Sequence, residues 1–210
     1  MNKGLIMNKY SVVTYYKMLP FDHYLKSIIN IGYINSVKGP SFVWYRLSKK
    51  RVNKNNIKIR HTFKPDYRID KAFRVTYKDY KKSGMDKGHL ASDASFDYNK
   101  DSLDSVYVYS NAVPQKHRLN AYVWGALEKY SRYVTMKLGY TYIVNIALYT
   151  DNTTIGNNVG VPTVMFKVIL NNKNKFLKIF RVEQTDTVRS LKRYNITFEE
   201  LMTELKSKNN

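Results

Sequence analysis

Two neighbouring stretches decide how this chain is read: SGMDKGHLASDASFDYN, Ser83 to Asn99, and YVYSNAVPQKHRLNAYVWGALEKYSR, Tyr107 to Arg132. Through the second and just past it, Leu119, Val123, Leu127 and Val134, with Trp124 and Tyr130 alongside, recur at three- and four-residue steps, which is a helical period. Ahead of them, Val106-Tyr107-Val108-Tyr109 mixes aromatic and branched residues as a strand does. Asn120, Trp124, Glu128 and Arg132 stand four residues apart, so on a regular helix each is displaced by about 40° from the last and they form one slowly turning stripe. A neutral amide, a carboxylate and a guanidinium then share a surface. Each also has a plainer reading: Asn120 as the helix N-cap, and Glu128 with Arg132 as an i,i+4 ion pair. In the first stretch, Asp86-Lys87-Gly88-His89 delivers a cation and an imidazole at adjacent points, with Gly84 and Gly88 letting the backbone bend and approach a ligand. Such a turn can hold a phosphate; the alternative is a structural histidine with Asp86 bonded to a nearby amide.

Outward from this centre, Phe42 to Leu47 reads as a strand after the turn signal Lys38-Gly39-Pro40. Ser48 to Lys64 is a basic connector suited to an exposed, phosphate-facing loop. Tyr142 to Tyr149, Val161 to Leu170 and Phe176 to Val182 read as strands, the last two joined by a turn at Asn171 to Asn174. A terminal helix opens at Thr197, which has capping-box spacing to Glu200. Strands outnumber helices in a mixed order, so the class is α+β. Residues 1–30 form a weakly patterned lead-in, and 31–210 a single domain.

The chain has 210 residues, of which 43% are hydrophobic, enough for a proper core, so disorder is excluded as the default. Its 36 Lys and Arg against 16 Asp and Glu leave a net charge of +20, a field that attracts polyanions, nucleic acid first among them. The absence of cysteine removes disulfides, thiolate nucleophiles and Cys-ligated zinc or iron–sulfur clusters. Four histidines, His23, His61, His89 and His117, are too far apart for helical H-E-x-x-H zinc chemistry. No stretch reaches the roughly 18 consecutive apolar residues of a membrane span, and the N-terminus shows no export signal.

Taken together, Asp86-Lys87-Gly88-His89, Ser110-Asn111, Pro114-Gln115, Leu119-Asn120, Trp124, Leu127-Glu128 and Arg132 resemble the signature of the DNA/RNA non-specific endonuclease family. Order, identities and spacings agree over about fifty residues. GPSFVWYRL is similar to that family's early P-x-W-V-x-Y strand, and VGVPTVMFKVIL to its late V-P-x-x-x-x-K-V strand. Two positions depart from the pattern. Lys87 stands where Arg is preferred, and an ammonium cannot reproduce a guanidinium fork on phosphate. Ala147-Leu148-Tyr149 replaces a Gly-Pro after the central strand.

The resemblance implies a ββα-metal, or His-Me finger, fold with a central, mostly antiparallel sheet flanked by helices. In it His89 is the general base, Asn120 the ligand of Mg²⁺ (or Mn²⁺ in its place), and Glu128 the holder of metal-bound water. Arg132 stabilises phosphoryl charge, Arg60 and Lys87 bind phosphate, with Arg68 the substitute for Arg60, and Asp86 orients. A magnesium ion keeps waters and borrows substrate oxygens, so one protein amide can suffice. The expected reaction is cleavage of DNA and RNA with little sequence preference, leaving 5′-phosphates. Surrounding cations should keep His89 neutral, with activity falling below about pH 6, near the reference pKa of histidine. A free nuclease threatens its own genome, so export to the periplasm or outside, or an inhibitor protein, is expected on functional grounds. The rivals are a basic module that binds nucleic acid without cutting it, and a structural protein sharing only the scaffold.

Overall fold

The computed structural model describes residues 10–16, 27–54, 57–171, 175–187 and 190–207. The turn expected at Asn171 to Asn174 lies outside them except for its first residue. Among the described residues, ten strands run in order: β1 (Tyr10–Tyr16), β2 (Ser27–Ile34), β3 (Gly39–Ser48), β4 (Asp86–His89), β5 (Ala112–Gln115), β6 (Tyr140–Leu148), β7 (Thr154–Ile155), β8 (Val159–Gly160), β9 (Val164–Leu170) and β10 (Phe176–Glu183). Six of them form one antiparallel sheet in the order β1-β2-β3-β6-β9-β10. β4 pairs with β5, and β7 with β8, as separate small ladders. The helices are α1 (Lys49–Val52), α2 (Tyr77–Tyr80), α3 (Lys100–Val106), α4 (Gly125–Leu138) and α5 (Phe198–Ser207).

Alternation explains the layering. In β3 Val43, Tyr45 and Leu47 are buried, and in β6 Ile143 and Ala147, all joining the core that also holds Val123, Trp124 and Leu127. β9 is buried on both parities. Its Met165 and Ile169 join that same core, while Val164, Phe166 and Val168 pack with Ile179 and Leu201 of α5. Helices therefore cover both faces of the sheet, and α5 starts where expected: Thr197 Oγ1 accepts from the Glu200 amide and Glu200 returns to the Thr197 amide.

Three expectations change. The first thirty residues contain β1 and the start of β2. The basic connector opens with a helical turn, α1, whose N-cap Ser48 accepts from the Arg51 amide. Val106 to Tyr109 is not a strand: Val106 closes α3 and Tyr109 opens a 3₁₀ turn. All four of these residues are buried, so the aromatic and branched run fills the core from both parities, and strand-like composition here reports burial rather than backbone. At the departure after β6, Tyr149 donates to Pro40 O at 3.0 Å, and its ring lies where side chains on Gly39 and Gly160 would have to go.

Candidate catalytic centre

β4 and β5 lie antiparallel, with Asp86 opposite Gln115 and His89 opposite Ala112, and the chain then enters the long helix. A π-helical turn, Leu119–Trp124, runs directly into α4. The strand and helix are bonded twice. Trp124 Nε1 donates to His89 O at 2.8 Å, and Asn120 Nδ2 donates to Asp86 Oδ2 at 2.9 Å. Asn111, fully buried, stitches the segment after His89 in place by accepting from the Ala91 amide and donating to Ala91 O and Val106 O. Gly88 is required by packing rather than by a bend, because a Cβ there would sit 2.2 Å from Gln115 Oε1.

Asn120 is therefore inside the helix and is not its N-cap. The stripe of four residues is also not regular, since the π turn winds more residues per turn through 119–124. Such turns occur mostly as single insertions, frequently at functional sites.

His89 is hemmed by aromatic rings, with Phe63 at 4.5 Å and Tyr107 edge-on at 4.8 Å between centroids. Its Nε2 is buried and has no hydrogen-bond partner. Burial pushes the imidazole pKa down to about 4; Asp93 opposes this and Arg60 reinforces it. The sequence expectation of a neutral His89 thus acquires a different first cause: desolvation leads, and the cationic contribution is that of Arg60. Loss of the neutral form then belongs below pH 6 rather than at it.

Arg60 reaches this centre from the connector. Its guanidinium lies 3.3 Å from Asp93 and 3.6 Å from Asp97, and Tyr107 also donates to Asp93 at 3.0 Å. Arg68, the substitute considered for it, is bound through two nitrogens to Asp66, which also accepts from Ser110. Lys87 stands with its ammonium 6.0 Å from the Phe63 ring centre. Asp86, besides holding Asn120, receives His117 Nδ1 at 2.9 Å on the same oxygen.

Glu128 and Arg132 form no ion pair with each other among the described salt bridges; Arg132 instead donates to Ser92 Oγ at 3.4 Å. Burial raises the Glu128 pKa, against the pull of Lys167 and Arg132. Lys167, in β9 and fully buried, has its own pKa lowered by burial against the pull of Glu128. Its ammonium donates to Asn145 Oδ1 and lies 4.1 Å from the Trp124 ring centre. Sequence reasoning assigned no role to Asp93, Asn111 or Lys167. Lys167 had a signal available, a lysine in the middle of an otherwise apolar strand, VMFKVIL.

Among the described residues no group of three or more His, Cys, Asp or Glu side chains is placed to hold a metal ion. The donor set suits a different occupant. With the Asn120 nitrogen committed to Asp86, the amide presents its hard oxygen, which fits a cation that retains most of its water.

The sequence model of the DNA/RNA non-specific endonuclease family matches residues 23–206. This chain belongs to that family. It is 32% identical over 145 residues to human mitochondrial endonuclease G, covering 63% of this chain and 49% of that protein. It is 30% identical over 156 residues to the mitochondrial nuclease EXOG of Danio rerio, covering 69% and 46%. The chain thus spans about half the length of the curated relatives it matches. One chain in the crystal structure of the EndoG/EndoGI complex superposes with a TM-score of 0.78 at 24% identity, covering 86% of this chain and 82% of that one, a likeness of fold. Within this endonuclease family frame the fold is the expected α+β arrangement with an antiparallel central sheet.

Proposed function

We propose that this protein is a metal-dependent endonuclease that hydrolyses phosphodiester bonds of DNA and RNA with little sequence preference. The observation that carries the reading is the double bonding of β4 to the helix. It ties the strand that carries His89, whose Nε2 has no partner, to the helix that carries Asn120, whose amide nitrogen is held by Asp86.

The neutral imidazole of His89 takes a proton from water as the water oxygen bonds to phosphorus. The bond from phosphorus to the 3′ oxygen breaks, leaving a 5′-phosphate and a 3′ oxyanion that takes a proton from solvent to become the 3′-hydroxyl. Asn120 would hold Mg²⁺, or Mn²⁺ in its place, through its amide oxygen, with Asp86 fixing the amide. When bound, the ion supplies Lewis-acid stabilisation of charge on the phosphate and the departing oxygen. Glu128 accepts hydrogen bonds from water in the cleft, and Arg60, Lys87 and Arg132 bind and stabilise the phosphoryl oxygens. These groups address phosphate and water rather than base edges, which fits weak sequence preference and strong salt dependence.

An inhibitor protein is a reasonable partner, given that EndoG in the structural relative is solved with EndoGI. Among the described residues no helix is long and apolar enough to cross a membrane. The test is digestion of supercoiled DNA and of RNA with magnesium or EDTA, comparing the parent with His89→Ala and Asn120→Ala. Metal-dependent nicking lost in both variants is expected. Binding without cleavage by the parent would instead favour the non-cutting module.

A further inference from the structure

The chain from α2 to β4 borders a trough of about 640 Å³ whose lining includes Tyr77, Lys81, Lys82, Asp86, Lys87 and Asn120. It shares Asp86, Lys87 and Asn120 with the candidate catalytic centre, so whatever occupies it is continuous with the reacting group. Lys81 and Lys82 are both exposed. The turn that carries them is firmly bonded: the Lys81 amide donates to Tyr77 O, the Ser83 amide to Tyr80 O, and the Met85 amide to Ser83 Oγ. Lys82 takes φ 60, a left-handed conformation that a lysine rarely adopts. Tyr77, at the same trough, is 58% exposed.

Charge compensation separates the trough from the connector. On the connector, Arg60 faces Asp93 and Asp97, and His61 faces Asp104. In the trough the sole lining carboxylate is Asp86, already engaged by Asn120 and His117, and among the described ion pairs none involves Lys81, Lys82 or Lys87. Three cations without acidic partners, beside an exposed aromatic ring, match a repeating phosphate with a stackable base.

We infer that this trough is the subsite for the substrate strand flanking the scissile diester: Lys81 and Lys82 bind the neighbouring phosphate, and Tyr77 stacks a base without reading it. The inference rests on the nuclease reading of the adjacent centre.

The test measures binding apart from cleavage. In the His89→Ala background, a fluorescein-labelled single-stranded 12-mer is titrated in EDTA and followed by anisotropy. The comparison is between Lys81→Gln/Lys82→Asn, in which asparagine tolerates the left-handed position, and Lys129→Gln/Lys137→Gln on α4. About tenfold weaker binding is expected for the first pair, with the slope of log affinity against log salt shallower by about 1.4. Tyr77→Ala should weaken binding and leave that slope unchanged. In the active protein the KM penalty of the first pair should shrink as substrate shortens from a 12-mer to a dinucleotide. An unchanged affinity and slope, or an equal loss from the α4 pair, would overturn the subsite. A parent protein that binds the oligonucleotide through these lysines yet cuts nothing would sink the nuclease reading alone.

Discussion

The connector and the turn before β4 both supply cations near the candidate centre, and these two flanks are built on opposite electrostatic principles. On the connector side, Arg60 and His61 are each met by carboxylates, from Asp93, Asp97 and Asp104. On the turn side, Lys81, Lys82 and Lys87 gather around the single carboxylate of Asp86. The difference teaches that a net charge of +20 does not say where the field acts. Cations met by acids at short range position groups, and the uncompensated ones are left to attract a polyanion.

The sharpest way to break the comparison is to remove His89 itself. His89→Ala should lower the rate of cleavage by about 10²- to 10⁴-fold, measured as single-turnover nicking at saturating magnesium. Loss of less than tenfold would mean that neither flank serves this imidazole.

Next comes the folded state itself. A histidine whose pKa falls from 6.5 to about 4 on folding stays neutral in the native protein while the unfolded chain takes up a proton. That contribution to stability is intact above about pH 6.5 and shrinks as pH falls towards 4, by an amount on the order of 3 kcal/mol. Urea titrations between pH 7 and pH 4 should show this slope in the parent, and a shallower one in His89→Ala.

On the turn side, Asp86→Ala removes the acceptor that fixes the Asn120 amide, and should weaken magnesium activation by about 10- to 100-fold with the fold unchanged by circular dichroism. The smallest effects come from the connector side, and their signs oppose each other. Asp93→Asn should move the acid limb of the rate profile to lower pH, and Arg60→Ala should move it higher, because Asp93 raises and Arg60 lowers the His89 pKa. Shifts of the same sign would show that these residues act on something other than His89.

The sequence made the strand and helix of the centre legible, and Lys81, Lys82 and Tyr77 of the turn side and the acids of the connector side much less so. Asp86, Lys87, His89 and Asn120 lie within 35 residues and carry a recognisable order, and the structure bonds that strand to that helix. Arg60 was singled out, but its acidic partners 33 and 37 positions further on come together only through tertiary packing. Lys167 is further still, brought under Trp124 by the pairing of β6 with β9. The strands of the large sheet followed from alternation, whereas Val106 to Tyr109 misled because burial on both parities imitates strand composition. The π turn escaped notice because a single inserted residue leaves the hydrophobic spacing of the helix nearly intact.

That turn sets a phase relation along the helix. Rewinding the segment to ordinary α geometry with all its residues kept would recover a standard ladder of backbone bonds. It would also swing everything upstream by about 100°, carrying Asn120 away from Asp86 while Glu128 stayed where it is. A more regular helix of the same length would thus be a sturdier element aimed in the wrong direction.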